Sequence, residues 1–372
     1  MTDRIVIVGG GPAGHAAARG YREAGGSGSV QLVTDDDRPP YNRPPLTKEF
    51  LRGEQGEDAL PLDEVPGVEV LYGTAASLDP EARVVTLEDG RRLLYTGCVL
   101  ATGAEPVRIE VEHDHVHVVR TVRHSLALRE MVEPGTRVVV VGTGFIGCEA
   151  AASLAMRGAR VTVVGQDAIP QGDRLGEEAG QRLAGFLTEL GCILELGREL
   201  EPADAASADV VLLATGAAAR VELAREAGLR MGEGGRAIAA DAALRTTADN
   251  VYAAGDACVA QHPVARRPLR VEHWGDALTQ GEVAGRRLAG DREAVWDSVP
   301  GFWSTVGEHT LKYAAWGDGF DSARFADHGD GAWAVWYAGE DGACVGVLTH
   351  ERDDDYDRGQ ELIAAGSPPP PA

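Results

Sequence analysis

Gly9, Gly11 and Gly14 stand at the spacing G-x-G-x-x-G directly after the apolar run Ile5–Val8, and an alanine-rich stretch follows them. That order reads as a buried strand, a tight turn and a helix start. The first glycine allows the turn, the second leaves backbone bare for a pyrophosphate, and the third lets helix and strand pack closely. The free N–H groups of the helix start then face the phosphates. A second apolar run, Val30–Thr34, ends at Asp35, twenty-one residues past Gly14, where a carboxylate would take ribose hydroxyls. The pattern recurs further along. Arg137–Val141 is apolar, Gly142, Gly144 and Gly147 repeat the spacing, and a helix candidate runs from Cys148 to Arg157. Two such units predict two dinucleotide sites.

Charged residues lie close to both units. Between Arg38 and Lys48 four prolines fix the backbone as a rigid loop that presents Arg43 and Lys48. Burying a lysine costs several kcal/mol unless it is paired, so Lys48 is either an exposed cation or the partner of a nearby anion. Glu149, two residues past Gly147, is the candidate anion; its bland reading is an ordinary helix glutamate. Two further strands end in Ala101-Thr102-Gly103 and in Ala214-Thr215-Gly216, where small residues leave room above a sheet. Val251–Ala254 leads to Gly255-Asp256, and Asp256 suits either a ribityl or ribose hydroxyl or a helix N-cap.

The elements that must position these residues alternate strand and helix, which predicts an α/β architecture: two Rossmann-like dinucleotide-binding domains with parallel sheets. Short strands are expected at Val68–Tyr72, Val84–Leu87 and Gly97–Ala101. From Trp296 onward tryptophans and alternating runs (Thr310–Trp316, Ala332–Ala338, Ala343–Leu348) predict antiparallel strands, a helix over Tyr356–Ala364 and a small α+β C-terminal domain. The expected domains are residues 1–110 and 241–295 for the first nucleotide unit, 111–240 for the second and 296–364 for the lid. Residues 365–372 form a proline-rich tail expected to be disordered.

At 372 residues the chain has room for such an assembly, and 44% hydrophobic with 25% charged residues is an ordinary globular balance. A formal net charge of −23 argues against nucleic acid and anionic membranes as partners. The five cysteines (Cys98, Cys148, Cys192, Cys258, Cys344) are scattered, with no C-x-x-C. A disulfide framework is not expected, and no metal site is indicated. No signal peptide precedes the first strand and no 18-residue apolar run occurs, so a cytoplasmic protein is expected, as a monomer or homodimer.

Taken in order, Gly9–Gly14, Tyr41–Lys48, Leu100–Ala104, Gly142–Glu149, Leu244-Arg245-Thr246, Ala254–Asp256 and Val271–Trp274 resemble the two-dinucleotide-fold flavoprotein reductases. The ferredoxin and putidaredoxin reductase group is most similar, with rubredoxin reductase and apoptosis-inducing factor as cousins. The resemblance covers about residues 4–320. It implies FAD on the first unit, NADH or NADPH on the second, and a C-terminal lid over the flavin. It further implies that Gly11 and Gly14 approach the FAD pyrophosphate, Asp35 the adenosine ribose, and Arg43 the adenine-ribose end. Ala101, Thr102, Gly103 and Ala104 would lie by the cofactor, with Gly255 and Asp256 at the ribityl chain. Glu272, His273 and Trp274 would flank the pyrimidine end. Gly142, Gly144 and Gly147 would hold the pyrophosphate of NAD(P)H. Lys48 would sit near the reactive edge of the flavin, paired with Glu149.

The chain departs from the family pattern in three places. The strand Arg160–Val164 ends in Gly165-Gln166 instead of an acid, and no basic residue follows until Arg174, so NADH is weakly favoured over NADPH. The lid begins Gly301-Phe302-Trp303-Ser304 as in relatives and then continues differently, with Phe302 and Trp303 suited to cover a flat ring. No cysteine stands where thiol-disulfide relatives need one. The leading expectation is electron transfer from NAD(P)H through FAD to a ferredoxin-like iron–sulfur protein. Arg266-Arg267 and Arg286-Arg287 with Arg292 are candidates for its docking. The alternatives are a reductase or oxidase acting on a small molecule, and a flavin-binding redox-responsive protein.

Overall fold

The computed structural model describes residues 3–371, which group into two units. The first comprises residues up to 42, 61–105 and 218–300. Its centre is a parallel sheet in the order Val251–Ala253, Gly97–Leu100, Arg4–Val8, Ser29–Thr34, Val68–Tyr72. The central strands are buried on both faces, which is why they read as unbroken apolar runs instead of alternating ones. Helices Pro12–Glu23 and Trp274–Leu288 pack tightly because glycines replace side chains at their contact. A Cβ on Gly281 would stand 2.1 Å from the Ala13 carbonyl oxygen, and one on Gly285 2.1 Å from that of Ala17.

The second unit comprises residues 43–60, 106–217 and 301–372, described to Pro371. Its parallel sheet runs Ile193–Leu196, Arg160–Gly165, Arg137–Val141, Val210–Leu213, Val116–His117. An antiparallel sheet follows, in the order Gly301–Val306, His309–Ala315, Cys344–His350, Ala332–Ala338, Ser322–Gly329. Trp333 and Tyr337, both almost fully buried, share one apolar core with Leu154, Leu183 and Leu51.

Two differences from the sequence reading have simple causes. The strand Ser322–Gly329 gives no alternating apolar signal in the sequence because it is a sheet edge, exposed at both ends and marked by charges and glycine. The terminal helix starts at Asp353, earlier than expected, because Asp353, Asp354 and Asp355 in its first turn suit the positive end of the helix dipole. Beyond this helix the Ser367 carbonyl accepts from the Cys344 amide at 2.8 Å. The Pro370 carbonyl accepts from Arg324 at 2.5 Å. Ala372 lies outside the described residues.

Candidate dinucleotide sites and a buried ion pair

In the first unit Gly9 takes φ +121°, and a Cβ there would meet the Ala101 carbonyl oxygen at 2.0 Å. Gly14 is excluded from any larger residue by the Gly9 carbonyl, 1.9 Å from a built Cβ. Gly11 is different. No atom lies within 4 Å of the Cβ it lacks, so the space above it is open. The helix from Pro12 has Gly11 as N-cap and no side-chain cap, leaving first-turn N–H groups for an anion. These features fit a dinucleotide pyrophosphate.

Asp35 lies at the end of its strand and accepts from Arg220 Nη1 at 2.5 Å. Arg220 was not singled out in the sequence. It is far along the chain, and no spacing rule points to it. Its carbonyl also receives the Thr102 hydroxyl at 2.6 Å, beside Ala101 and Gly103. The Gly255 amide donates to Gln280 Oε1 at 2.8 Å, which fixes the turn carrying Asp256 to the helix Trp274–Leu288. Gln280 is fully buried and likewise had no sequence signal. At the start of that helix His273 Nδ1 lies 3.3 Å from the buried carboxylate of Asp276, while Glu272 pairs with Arg270. Of the arginines considered for docking, Arg286 is committed to Asp291 at 2.7 Å.

The second unit repeats the cradle. Gly142 has φ +114° with the Ala214 carbonyl 2.3 Å from a built Cβ. Gly147 faces the Gly142 carbonyl at 2.2 Å, and Gly144 opens onto space, its nearest neighbour Gln171 Nε2 at 3.7 Å. Again the helix, Phe145–Met156, starts without a side-chain cap.

Lys48 and Glu149 meet within this unit. Lys48 Nζ stands 2.9 Å from Glu149 Oε2, and the two residues are 5% and 3% exposed. The rigid loop supplies more than the lysine. Thr47 Oγ1 donates to the same carboxylate oxygen at 2.5 Å, and Pro44 O accepts from Lys48 Nζ at 3.0 Å. From the antiparallel sheet, Ser304 Oγ donates to Glu149 Oε1 at 2.8 Å. Both carboxylate oxygens are thereby satisfied, the condition under which a buried ion pair is tolerated. Thr47 and Ser304 sit beside residues the sequence reading weighed, Lys48 and Trp303, but hydroxyl residues are common enough to carry no signal alone. Removing one donor to a buried charge costs about 1.5–3 kcal/mol. Ser304→Ala is therefore expected to lose stability in that range by urea unfolding, and a change below 0.5 kcal/mol would show that water replaces the hydroxyl.

Arg43 Nη1 reaches the Arg120 carbonyl at 3.4 Å. Phe302 packs edge-on against Phe145 and Tyr313, with ring centres 4.7 and 5.6 Å away. Trp303 points outward, 45% exposed. All five cysteines are buried free thiols. Burial pushes Cys98 up to about 12 and Cys192 and Cys344 to about 11, and raises Cys148 and Cys258 further. None is suited to form a thiolate nucleophile near neutral pH.

Residues 3–281 match the pyridine nucleotide-disulphide oxidoreductase family. The chain belongs to that family. As a member it is an oxidoreductase that uses FAD with NAD(P)H. The ferredoxin–NAD(+) reductase component of the anthranilate 1,2-dioxygenase system from Burkholderia cepacia is 32% identical, covering 99% of this chain and 96% of that protein. The crystal structure of the covalent putidaredoxin reductase–putidaredoxin complex superposes with a TM-score of 0.90 at 25% identity, covering 98% of this chain and 93% of that one. The ferredoxin reductase for the CYP199A2 system from Rhodopseudomonas palustris gives 0.90 at 26% identity, covering 99% and 96%. No helix among the described residues is long and apolar enough to cross a membrane.

Proposed function

We propose that this chain works in the cytoplasm and passes electrons from NAD(P)H through FAD to a small iron–sulfur protein. The observation that carries this reading is the extent of the likeness: a ferredoxin–NAD(+) reductase component matches almost from end to end, beyond the nucleotide units and through the terminal sheet. The chemistry of the thiols supports it. Every cysteine is buried with its thiol pushed up, so no thiolate is poised to take electrons from the flavin, which favours an external acceptor.

In this reading the first unit holds FAD. Gly11 and the uncapped helix start face its pyrophosphate, Asp35 its adenosine ribose, and Asp256 its ribityl chain. The second unit holds the nicotinamide dinucleotide on Gly142, Gly144 and Gly147. Bound FAD can accept the two electrons of a hydride and give them up singly. Lys48 supplies a fixed positive charge to offset the negative charge that reduction brings. Glu149 keeps that ammonium in place, and Thr47 and Ser304 keep Glu149 in place. The exposed indole of Trp303 covers a flat ring surface.

The test is reduction of cytochrome c by NADH with and without added ferredoxin. Strong stimulation by a [2Fe–2S] ferredoxin is expected. Equal rates with every ferredoxin tried, alongside fast reoxidation by oxygen alone, would replace this reading with that of an oxidase.

A further inference from the structure

The strand ends of the two units correspond residue by residue. Val8 pairs with Val33 in the first and Val141 with Val164 in the second, so Gln166 occupies in the second unit the place of Asp35 in the first. The two strand ends also differ in packing at the neighbouring position. In the first unit Gly10 faces Thr34, and a Cβ on Gly10 would stand 2.5 Å from Thr34 Oγ1. In the second the bulk is exchanged: Thr143 faces Gly165, and a Cβ on Gly165 would stand 2.5 Å from Thr143 Cγ2. Position 165 therefore suits only glycine, and position 166, the counterpart of Asp35, carries an amide where the first unit has an acid.

A carboxylate arrives from elsewhere. The turn after the strand Ile193–Leu196 is tied to this strand end, with the Arg198 amide donating to Gly165 O at 3.0 Å and the Gly197 amide to Asp167 O at 2.9 Å. This places Glu199 so that its Oε1 accepts from Gln166 Nε2 at 3.2 Å. The cation on the same turn is not free to receive a phosphate. Arg198 holds Asp204 through Nη1 at 2.6 Å and Nη2 at 2.8 Å, and Glu195 through Nε at 3.0 Å. Asp167 accepts from Thr143 Oγ1 at 2.9 Å.

We propose that Glu199, held by Gln166, is the carboxylate that takes the adenosine ribose hydroxyls of NADH and excludes the 2′-phosphate of NADPH. The inference rests on the second unit being the pyridine-nucleotide site. A phosphate at that strand end would meet the carboxylates of Glu199 and Asp167, with the one cation of the turn already shared between two others. Like-charge juxtaposition of this kind suppresses the wrong ligand by about 100-fold or more.

The experiment measures NAD+ and NADP+ binding to the flavin-loaded protein by calorimetry, in parallel with flavin reduction by NADH and NADPH. The wild type is expected to bind NAD+ about 100-fold tighter than NADP+. Glu199→Gln should bring that ratio to within about tenfold, mainly by a gain in NADP+ binding. Arg198→Gln should leave NADP+ binding weak, because Arg198 does not serve a phosphate. An unchanged ratio in Glu199→Gln, or a wild type that favours NADP+, overturns the proposal. If binding discriminates as expected but neither nucleotide reduces the flavin, Glu199 keeps its role and the electron-transfer reading falls. If neither nucleotide binds, both fall together.

Discussion

Lys48→Met is expected to destabilise the second unit by about 3–5 kcal/mol, the usual effect of breaking a buried ion pair from one side. Glu149 would remain buried with its two hydroxyl donors, Thr47 and Ser304, but without the ammonium 2.9 Å from Oε2. Glu149→Gln should lose a comparable amount, leaving a cation enclosed. The double variant Lys48→Met/Glu149→Met separates stability from function. Replacing both charges with apolar side chains removes the desolvation problem, so the double variant should regain much of the lost stability. It should not regain hydride transfer. If Lys48 supplies charge to the reduced flavin, the two variants that lack it reduce bound FAD about 100- to 1000-fold more slowly than wild type, the range seen when one preorganised electrostatic contact is removed, while Glu149→Gln, which keeps the ammonium, loses less. Urea unfolding and anaerobic stopped-flow on flavin-loaded protein read the two effects independently. A double variant that recovers stability and wild-type reduction together would make the pair purely structural.

The second large effect concerns the two open glycines. Gly11→Val and Gly144→Val start side chains in open space, since a Cβ at Gly11 meets nothing within 4 Å and one at Gly144 meets only Gln171 Nε2 at 3.7 Å. Both residues have extended backbone that valine adopts readily, with φ −81° and −67°. Folding is therefore expected to survive, and ligand binding is not. Gly11→Val should purify colourless with wild-type secondary structure. Gly144→Val should purify yellow and yet fail to bleach with NADH. Gly14→Val is the contrasting case: its Cβ would lie 1.9 Å from the Gly9 carbonyl, so the turn itself must shift and the fold should suffer. Circular dichroism and the flavin-to-protein absorbance ratio report each outcome. A yellow Gly11→Val protein would place the flavin elsewhere.

Much of this was legible in the sequence because it rests on local chemistry. The glycine triads, the apolar strands Arg4–Val8 and Arg137–Val141, and the carboxylate at Asp35 all follow from turn geometry and burial within a few dozen residues. Lys48 and Glu149 were legible as a candidate pair from the cost of burying a lysine, and the likeness to relatives strengthened that reading; their separation in sequence is about a hundred residues, and no periodicity links them. Thr47, Ser304, Arg220, Gln280 and Glu199 were not legible. Each acts through a contact made in three dimensions, by a residue type common everywhere in the chain. Glu199 shows the reason most plainly. The missing acid after Val164 was visible in the sequence, but its replacement comes from the turn of a neighbouring strand, and strand pairing is what brings it there. Phe302 and Trp303, adjacent and similar on paper, separate in the fold because strand alternation sends one inward and the other outward.

Anaerobic titration of the flavin-loaded protein with NADH decides whether nicotinamide reduces the flavin. The expected result is a yellow protein whose flavin absorbance is bleached by about one equivalent of NADH, the stoichiometry of one hydride per FAD. A protein that cannot be loaded with FAD, or one whose colour persists in excess NADH and NADPH, would contradict it.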